Sequence, residues 1–334
     1  MDKALEVRGL TKTYKVFRRG SGLRETLATL VSRRFESVDA VDGIGFDLEA
    51  GELVGFLGPN GAGKSTTIKM LSGILHPTAG SVLALGRYVP WKDRTEYVRN
   101  IGAVFGQKSQ LVWDVPPQDA FRMARAIHGV PAAVFRERLE RLVDLLDIAR
   151  VMTQPTRSLS LGERMRCEFA LSLLHGPRML FLDEPTIGLD IDAKDRIRAF
   201  VKEINAQGTT VILTTHDLFD IEHLARRVIV IDHGRIGFDG TLPELRNRWG
   251  ERKRIRLRSA DLPERFELPG LRTVVRDGSG RSEFELDLGA GSLHEVLERL
   301  AASCHIDDLS IEDPPLEDAV RRLYATREDD SKLE

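Results

Sequence analysis

Cysteine is nearly absent from this chain: Cys167 and Cys304 are the only two in 334 residues. They stand far apart and without metal-ligand spacing. That excludes a thiolate zinc site and a disulfide framework, and suits a reducing compartment. Long apolar runs are missing as well. The best are MLFL from Met179, VILTT from Val211 and VIVI from Val228, far short of the roughly 18–20 residues that span a bilayer. Charges and glycines bound each run, the pattern of a buried strand. The first residues, MDKALEVRGL, carry no apolar stretch of the secretory kind, so a cytosolic protein is expected. Nor does one sign of charge dominate: 49 Lys and Arg face 51 Asp and Glu, a formal net charge of -2. Nucleic acid is therefore not expected as a partner.

What the chain does have is enough apolar material for a core, 42% hydrophobic residues beside 30% charged ones, and length for about two domains. Residues 4–14 and 41–57 read as strand-rich, with a mostly basic stretch and a short helical pattern over 15–40. From about Pro116 to His175 the pattern is helical: Val134, Leu139, Leu142, Val143, Leu145 and Leu146 recur at roughly helical spacing among Arg and Glu. From Met179 to Asp239 strands and helices alternate, with a helix around Arg196–Asn205. Such alternation predicts a largely parallel sheet flanked by helices. After about Trp249 the character changes to charged strand-like runs (RKRIRLRS, SEFELDLG) and an amphipathic helix at Leu293–Ala302. The last residues, REDDSKLE, read as a frayed tail.

The decisive segment is GPNGAGKST: Gly58, Pro59, Asn60, Gly61, Ala62, Gly63, Lys64, Ser65 and Thr66. It fits G-x-x-x-x-G-K-[ST] and sits between an apolar strand and a helix that starts near Ser65 and ends at Gly73. Glycines let backbone N–H groups turn inward around phosphates, and the following helix adds the positive end of its dipole. Lys64 reaches the β- and γ-phosphates and the Ser65 hydroxyl suits Mg²⁺. A glycine-rich linking turn would need neither the preceding strand nor the lysine.

Further on, MLFL ends in Asp183 and Glu184, two acids at a sheet edge where α/β proteins bind ligands. Asp183 suits Mg²⁺, directly or through water, and Glu184 suits the orientation or deprotonation of an attacking water. Alone, two acids after a strand are as readily a solvated strand end; beside a phosphate loop the catalytic reading is the stronger. His216 ends the strand TVILTTH on the same edge, where it can meet the γ-phosphate or the water. The other seven histidines carry no such placement.

No guanine-recognition segment of the NKxD kind comes after the loop. The chain carries LSLGER instead, Leu159 to Arg164, just ahead of a helix. Here it resembles the nucleotide-binding subunits of ABC transporters over about residues 4–245. The order of elements is reproduced: Tyr14, the phosphate loop, Gln107, the LSLGE signature, FLDE, the Gly188–Leu189–Asp190 turn, then His216. The resemblance implies an α/β P-loop NTPase fold of the ABC type over 1–248. It includes an inserted helical subdomain over about 108–176, and a small α/β accessory domain occupies 249–334. It implies that Tyr14 stacks on adenine, and that Gln107 touches Mg²⁺ and the water while linking to a membrane partner. Ser160 and Gly162 would grip the γ-phosphate of ATP held by the opposite subunit, and Asp190 would communicate between the two sites. One phosphate loop and one signature facing apart cannot complete a site, so a head-to-tail dimer with two shared ATP sites is implied, a homodimer or a pair with another ATPase subunit.

The signature reads Leu161 and Glu163 where LSGGQ has glycine and glutamine. FLDEPTIGLD and LSLGERMR resemble the ABC-2 exporter branch, whose ATPase subunits are separate chains. That branch implies ATP and Mg²⁺ as ligands, separate transmembrane permease subunits, export of drugs, lipids or glycans, and work at the cytoplasmic face of the membrane. The basic insert 18–37 places Leu23, Leu27, Leu30, Val31 and Phe35 on one helical face. Such a face suits either contact with the membrane partner and lipid or packing on its own subunit. Two rival readings are weaker. A soluble ABC-type ATPase acting on ribosomes or DNA would call for fused ATPase units, long coiled coils or zinc cysteines. A scaffold without turnover has no use for Glu184.

Overall fold

The computed structural model describes residues 3–17, 35–106, 108–248, 251–263, 265–277 and 280–330, with the side chains of 17, 35 and 325–330 left aside. The chain forms two compact units, Met1–Asp239 and Gly240–Glu334.

The first unit is organised by a six-stranded sheet. Its strands are β3 (Leu53–Leu57), β5 (Ile101–Phe105), β6 (Met179–Asp183), β7 (Thr210–Thr215), β8 (Arg227–Asp232) and β9 (Arg235–Thr241), in the order β5-β6-β7-β3-β8-β9. The first five are parallel. All of β3 and β7 is buried, which is why these strands read as continuous apolar runs rather than alternating ones: helices cover both faces of such a sheet. The register aligns their ends. Leu57 pairs with Thr215, Asp183 with Thr214, and Phe105 with Asp183. The phosphate loop, the two acids, Gly106 and His216 therefore leave the sheet at one common edge.

A second, antiparallel sheet joins β1 (Lys3–Phe17), β2 (Phe35–Glu49) and β4 (Ala79–Ala84) in the order β2-β1-β4. Helix α1 (Lys64–Leu71) buries Ile68, Met70 and Leu71 in a core shared with Leu5, Val7, Leu10, Phe46 and Leu48 of this sheet and Phe56, Ile229 and Ile231 of the first. Each such side chain contributes about 1.5–3 kcal/mol through burial, so the helix that presents the phosphate loop is clamped. Helix α2 (Arg94–Val98) ties in through the buried Tyr97, whose hydroxyl donates to the Leu71 carbonyl at 2.8 Å. The strands run further than the residue pattern suggests. Lys15 pairs with Ser37, Val16 with Glu36 and Phe17 with Phe35, which takes Phe35 off the helical face read from the sequence. The rest of that expected helix, residues 18–34, lies outside the described residues.

The helical segment is α3 (Pro117–His128), α4 (Ala132–Leu146) and α5 (Leu161–Leu173). Gly129 and Asp147, both in the left-handed region, end the first two. Phe135, Leu142 and Leu146 face inward on α4, whereas Leu145 is exposed, because it falls off the inward stripe. Helices α6 (Ile191–Ala206) and α7 (Leu218–Leu224) complete the unit; α6 begins well before Arg196, since Asp190 caps it by accepting from Ala193 N at 2.7 Å.

The second unit has an antiparallel sheet in the order β11-β12-β10-β13, built from β10 (Arg252–Arg258), β11 (Leu271–Arg276), β12 (Arg281–Asp287) and β13 (Asp308–Glu312). Helices α8 (Leu242–Asn247), α9 (Leu293–Ser303) and α10 (Leu316–Asp330) accompany it. Ile255 and Leu257 alternate with arginines on β10, and with Phe284, Leu286, Val296 and Leu300 they form the core. The outward arginines pair across strands, Arg254 with Glu283 and Arg256 with Glu312, each at 3.1 Å. One expectation is corrected here. The segment from Arg327 is not frayed throughout: α10 stays helical to Asp330, anchored by Leu316, Val320 and Leu323 at helical spacing.

Candidate active site

The phosphate loop leaves β3 under tight steric limits. A Cβ on Gly58 would run into the Ile231 carbonyl oxygen, and one on Gly63, at φ +107°, into that of Ala40. Only glycine fits either place. The Ala62 amide donates to the Pro59 carbonyl at 3.2 Å and closes the turn. Lys64 is 5% exposed and donates from Nζ to the carbonyl oxygens of Gly58 (2.7 Å) and Pro59 (3.0 Å). Burial pushes its pKa down, while Glu184 and Asp183 pull it back up. Helix α1 has no side-chain cap at Gly63. The first-turn amides of Lys64, Ser65 and Thr66 have no intrahelical acceptor, so these three donors suit an anion.

Across the sheet edge, Asp183 Oδ1 accepts from the hydroxyls of Ser65 (2.8 Å) and Thr214 (2.6 Å). The Thr214 hydroxyl also accepts from the Glu184 amide at 3.2 Å, and the Thr214 carbonyl from the same amide at 3.0 Å. Glu184 stands at φ +51°, in the left-handed region. For a non-glycine residue that costs about 1–3 kcal/mol, and such strain collects at functional sites. Gly106 faces it so closely that a Cβ would strike the Glu184 carbonyl oxygen. His216 Nδ1 lies 3.3 Å from Glu184 Oε1; the histidine is 53% exposed and the glutamate 15%.

These groups share one cleft of about 430 Å³, lined by residues 60–66, Asp183, Glu184 and His216, with Phe105 and Lys108 on the β5 side. The structure thus brings together Asn60, Gly61, Ala62, Gly63, Lys64, Ser65, Thr66, Asp183, Glu184 and His216. Gly58 and Pro59 sit beneath, as acceptors for Lys64. Gln107 lies outside the described residues. Tyr14 does not line the cleft; it stands on β1, paired with Val38, with the Lys12 ammonium 5.4 Å from its ring centre. Ser160, Gly162 and Asp190 do not line it either. Several residues escaped the sequence reading, among them Ala40, Lys69 and Ile187 of the cleft lining. Thr214 hides in a strand whose threonines look like ordinary strand formers, and Lys108 comes after Gln107 without a motif of its own.

Ser160 begins α5 with a reciprocal cap. Its hydroxyl oxygen accepts from the Glu163 amide at 3.2 Å, and Glu163 Oε2 accepts from the Ser160 amide and hydroxyl, both at 2.8 Å. These bonds hold the Glu163 carboxyl below its ordinary range, the Ser160 amide contributing most. Gly188 and Gly162 let this helix start lie against the following turn, with Leu161 near Gly188 and Ala193 near Gly162.

Comparison with known proteins agrees with this geometry. The ABC transporter family matches residues 41–187. The daunorubicin/doxorubicin resistance ATP-binding protein DrrA of Streptomyces peucetius is 34% identical over 306 residues, 92% of this chain and 82% of that one. The Nod factor export ATP-binding protein I of Ralstonia nicotianae is 36% identical over 203 residues, 61% of this chain and 63% of that one. A solved ATP-binding subunit of an ABC transporter superposes with a TM-score of 0.62 at 25% identity, over 74% of this chain and 93% of that one. A strand-end phosphate loop, an acid pair on the neighbouring edge and a relative matched over nearly the whole chain lead to one assignment: this protein belongs to the ATP-binding, ATP-hydrolysing subunits of ABC transporters.

Proposed function

We propose that the chain is the motor of an exporter, hydrolysing ATP as a homodimer bound to separate transmembrane subunits at the cytoplasmic face of the membrane. ABC ATPase subunits in general dimerise and pair with transmembrane subunits, and this chain has, among the described residues, no helix long and apolar enough to cross a membrane. Export is supported by the likeness to the Nod factor export protein, and a drug-like cargo by the likeness to DrrA.

The observation that carries the reading is the pair of acids held by Thr214 beside the phosphate loop. In this reading the amides of Gly61, Gly63, Lys64, Ser65 and Thr66, with the Lys64 ammonium, hold the triphosphate. Glu184 orients and deprotonates water, and His216 steadies both the glutamate and the γ-phosphate. The Ser65 hydroxyl and the Asp183 carboxylate are hard oxygens 2.8 Å apart, a donor pair that fits Mg²⁺. That ion usually takes one or two carboxylates and completes its shell with water and phosphate. Bound there, Mg²⁺ would neutralise charge on the β- and γ-phosphates. Gln107 completes the water site, and Tyr14 offers a flat face to adenine from the second sheet. Ser160, Gly162 and Asp190, away from this cleft, serve the partner's nucleotide.

Glu184→Gln tests it. The variant is expected to bind ATP, lose at least about 100-fold in kcat, and run as an ATP-trapped dimer in size-exclusion chromatography. Normal turnover in this variant would reject the assignment of Glu184.

A further inference from the structure

Glu168 is not used by anything above, yet its surroundings are costly to build. It is 4% exposed on α5, a helix that also buries Met165, Cys167, Phe169 and Ala170. A carboxylate in such a place must find donors or be strongly destabilising. One oxygen finds three. Oε1 accepts from the Ser109 hydroxyl, from the Gln110 amide at 2.8 Å and from the Leu111 amide at 3.2 Å. The other, Oε2, is buried without a hydrogen-bond partner among the described residues. Burial pushes this carboxyl above the usual range, against the pull of the three bonds. An apolar side chain of similar volume would fill the space at lower cost. What it could not do is gather three donors of one loop onto one atom.

That loop leads directly into the cleft. The Lys108 amide donates to the Phe105 carbonyl at 2.9 Å, and the two residues form a β-bridge. The Gln110 side-chain amide donates to the Ala103 carbonyl at 2.5 Å. The segment is thus folded back on the end of β5, and Lys108 lines the cleft with Lys64, Asp183 and Glu184. At its other end, α5 is capped by Ser160, about 12 Å along the helix axis from Glu168.

We propose that Glu168 is a positioning residue for hydrolysis: it pins residues 109–111 to the signature helix and so presents the Lys108 ammonium to the cleft as a further cation beside Lys64 and Lys69. Movement of α5 when Ser160 engages a partner's nucleotide is thereby passed to a charge next to the phosphates. An added ammonium there stabilises the negative charge that develops on the transferring phosphoryl group. This rests on the reading of the cleft as an ATPase site and adds two residues to it.

The test uses the full-length protein, with phosphate release and ATP affinity measured separately. Glu168→Ala is expected to lower kcat at least about tenfold, because misplacing a charged group costs rate rather than binding, with Kd for ATP within about twofold. Glu168→Gln, which keeps an acceptor for the three donors, is expected to restore kcat to within about threefold. In a Lys108→Ala background, Glu168→Ala is expected to cost less than about a further twofold, the signature of two residues acting as one. Where Glu168→Ala does not fold, Ser109→Ala takes its place in the same cycle, with an expected loss of about threefold in kcat. Normal kcat in the folded alanine variant, failure of Glu168→Gln to rescue, or losses that multiply across the double variant would each overturn the proposal. Glu184→Gln run in parallel separates the levels. Normal turnover there undoes the site assignment itself; a dead Glu184→Gln beside normal Glu168 variants removes the Glu168 proposal alone.

Discussion

The start of α1 and the start of α5 are both helix N-termini with serine in the first turn or at the cap, and they are finished in opposite ways. At α1 the cap is Gly63, with no side chain to satisfy the free amides, and a buried lysine lies against the loop. At α5 the cap is Ser160, exposed and closed on itself by Glu163. The first end is open and rigid, clamped by Ile68, Met70 and Leu71. The second is satisfied without any ligand. At the first, a phosphate meets free first-turn amides and draws Lys64 from the Gly58 and Pro59 carbonyls, whereas at the second it must displace the Glu163 carboxylate from the Ser160 hydroxyl. The asymmetry suits a site whose loading and whose closure are separate events.

The largest expected effect that sharpens this contrast comes from Thr214→Val. Valine matches threonine in shape, so the fully buried strand β7 keeps its packing, but Asp183 loses one donor and the Glu184 amide one acceptor. The expectation is a kcat lower by about 10- to 100-fold, since the water-directing acid is no longer held in place, with ATP affinity within about threefold because the α1 end is untouched. Isothermal titration beside steady-state kinetics separates the two. A parallel fall in affinity would mean that loop and acids are not independent parts.

Ser160→Ala acts on the other helix and should leave binding to one chain alone. Removing the cap costs about 1 kcal/mol of stability, and losing one hydrogen bond to a charged phosphate costs about 1.5–3 kcal/mol of closure. ATP-driven dimerisation is expected to weaken about tenfold or more, read by sedimentation at several protein concentrations, while ATP binding at high dilution is unchanged. Equal losses in both would end the division of labour between the two helix starts.

The parts legible in the sequence are those whose chemistry lies within a few consecutive residues. The phosphate loop, Asp183, Glu184 and His216 each come after an apolar run, so finding the strands finds the edge. Thr214 could not be read this way. Its importance comes from the pairing of Asp183 with Thr214, a register set by packing between segments thirty residues apart. Lys108 and Glu168 are legible only as a charge beside a glutamine and a charge in a helix until the loop of 109–111 is seen to meet α5. In the second unit, β10, β12 and α9 alternate clearly. Strand β11 is largely exposed and carries no such alternation, and α10 spaces Leu316, Val320 and Leu323 among so many charges that its apolar stripe is thin.

The smallest effect bears on the self-made cap. The hydrogen bonds from Ser160 hold the Glu163 carboxyl below its ordinary value in the folded chain. A carboxyl depressed on folding adds stability above its unfolded pKa of about 4.3, and that stability is lost as pH falls through the lower, folded value. Glutamine at this position also completes a reciprocal cap with serine, but it does not titrate. Glu163→Gln should therefore match the parent in urea denaturation near pH 7 to within about 0.5 kcal/mol, and should show a shallower loss as pH falls below the ordinary carboxyl value of about 4.3. It should also release the Ser160 hydroxyl from a charged competitor, so ATP-driven dimerisation at pH 7 is expected to strengthen by about two- to threefold, in line with a hydrogen bond of modest net worth. A weaker dimer would mean that Glu163 itself contacts the nucleotide, and the two helix starts would then differ less than their caps suggest.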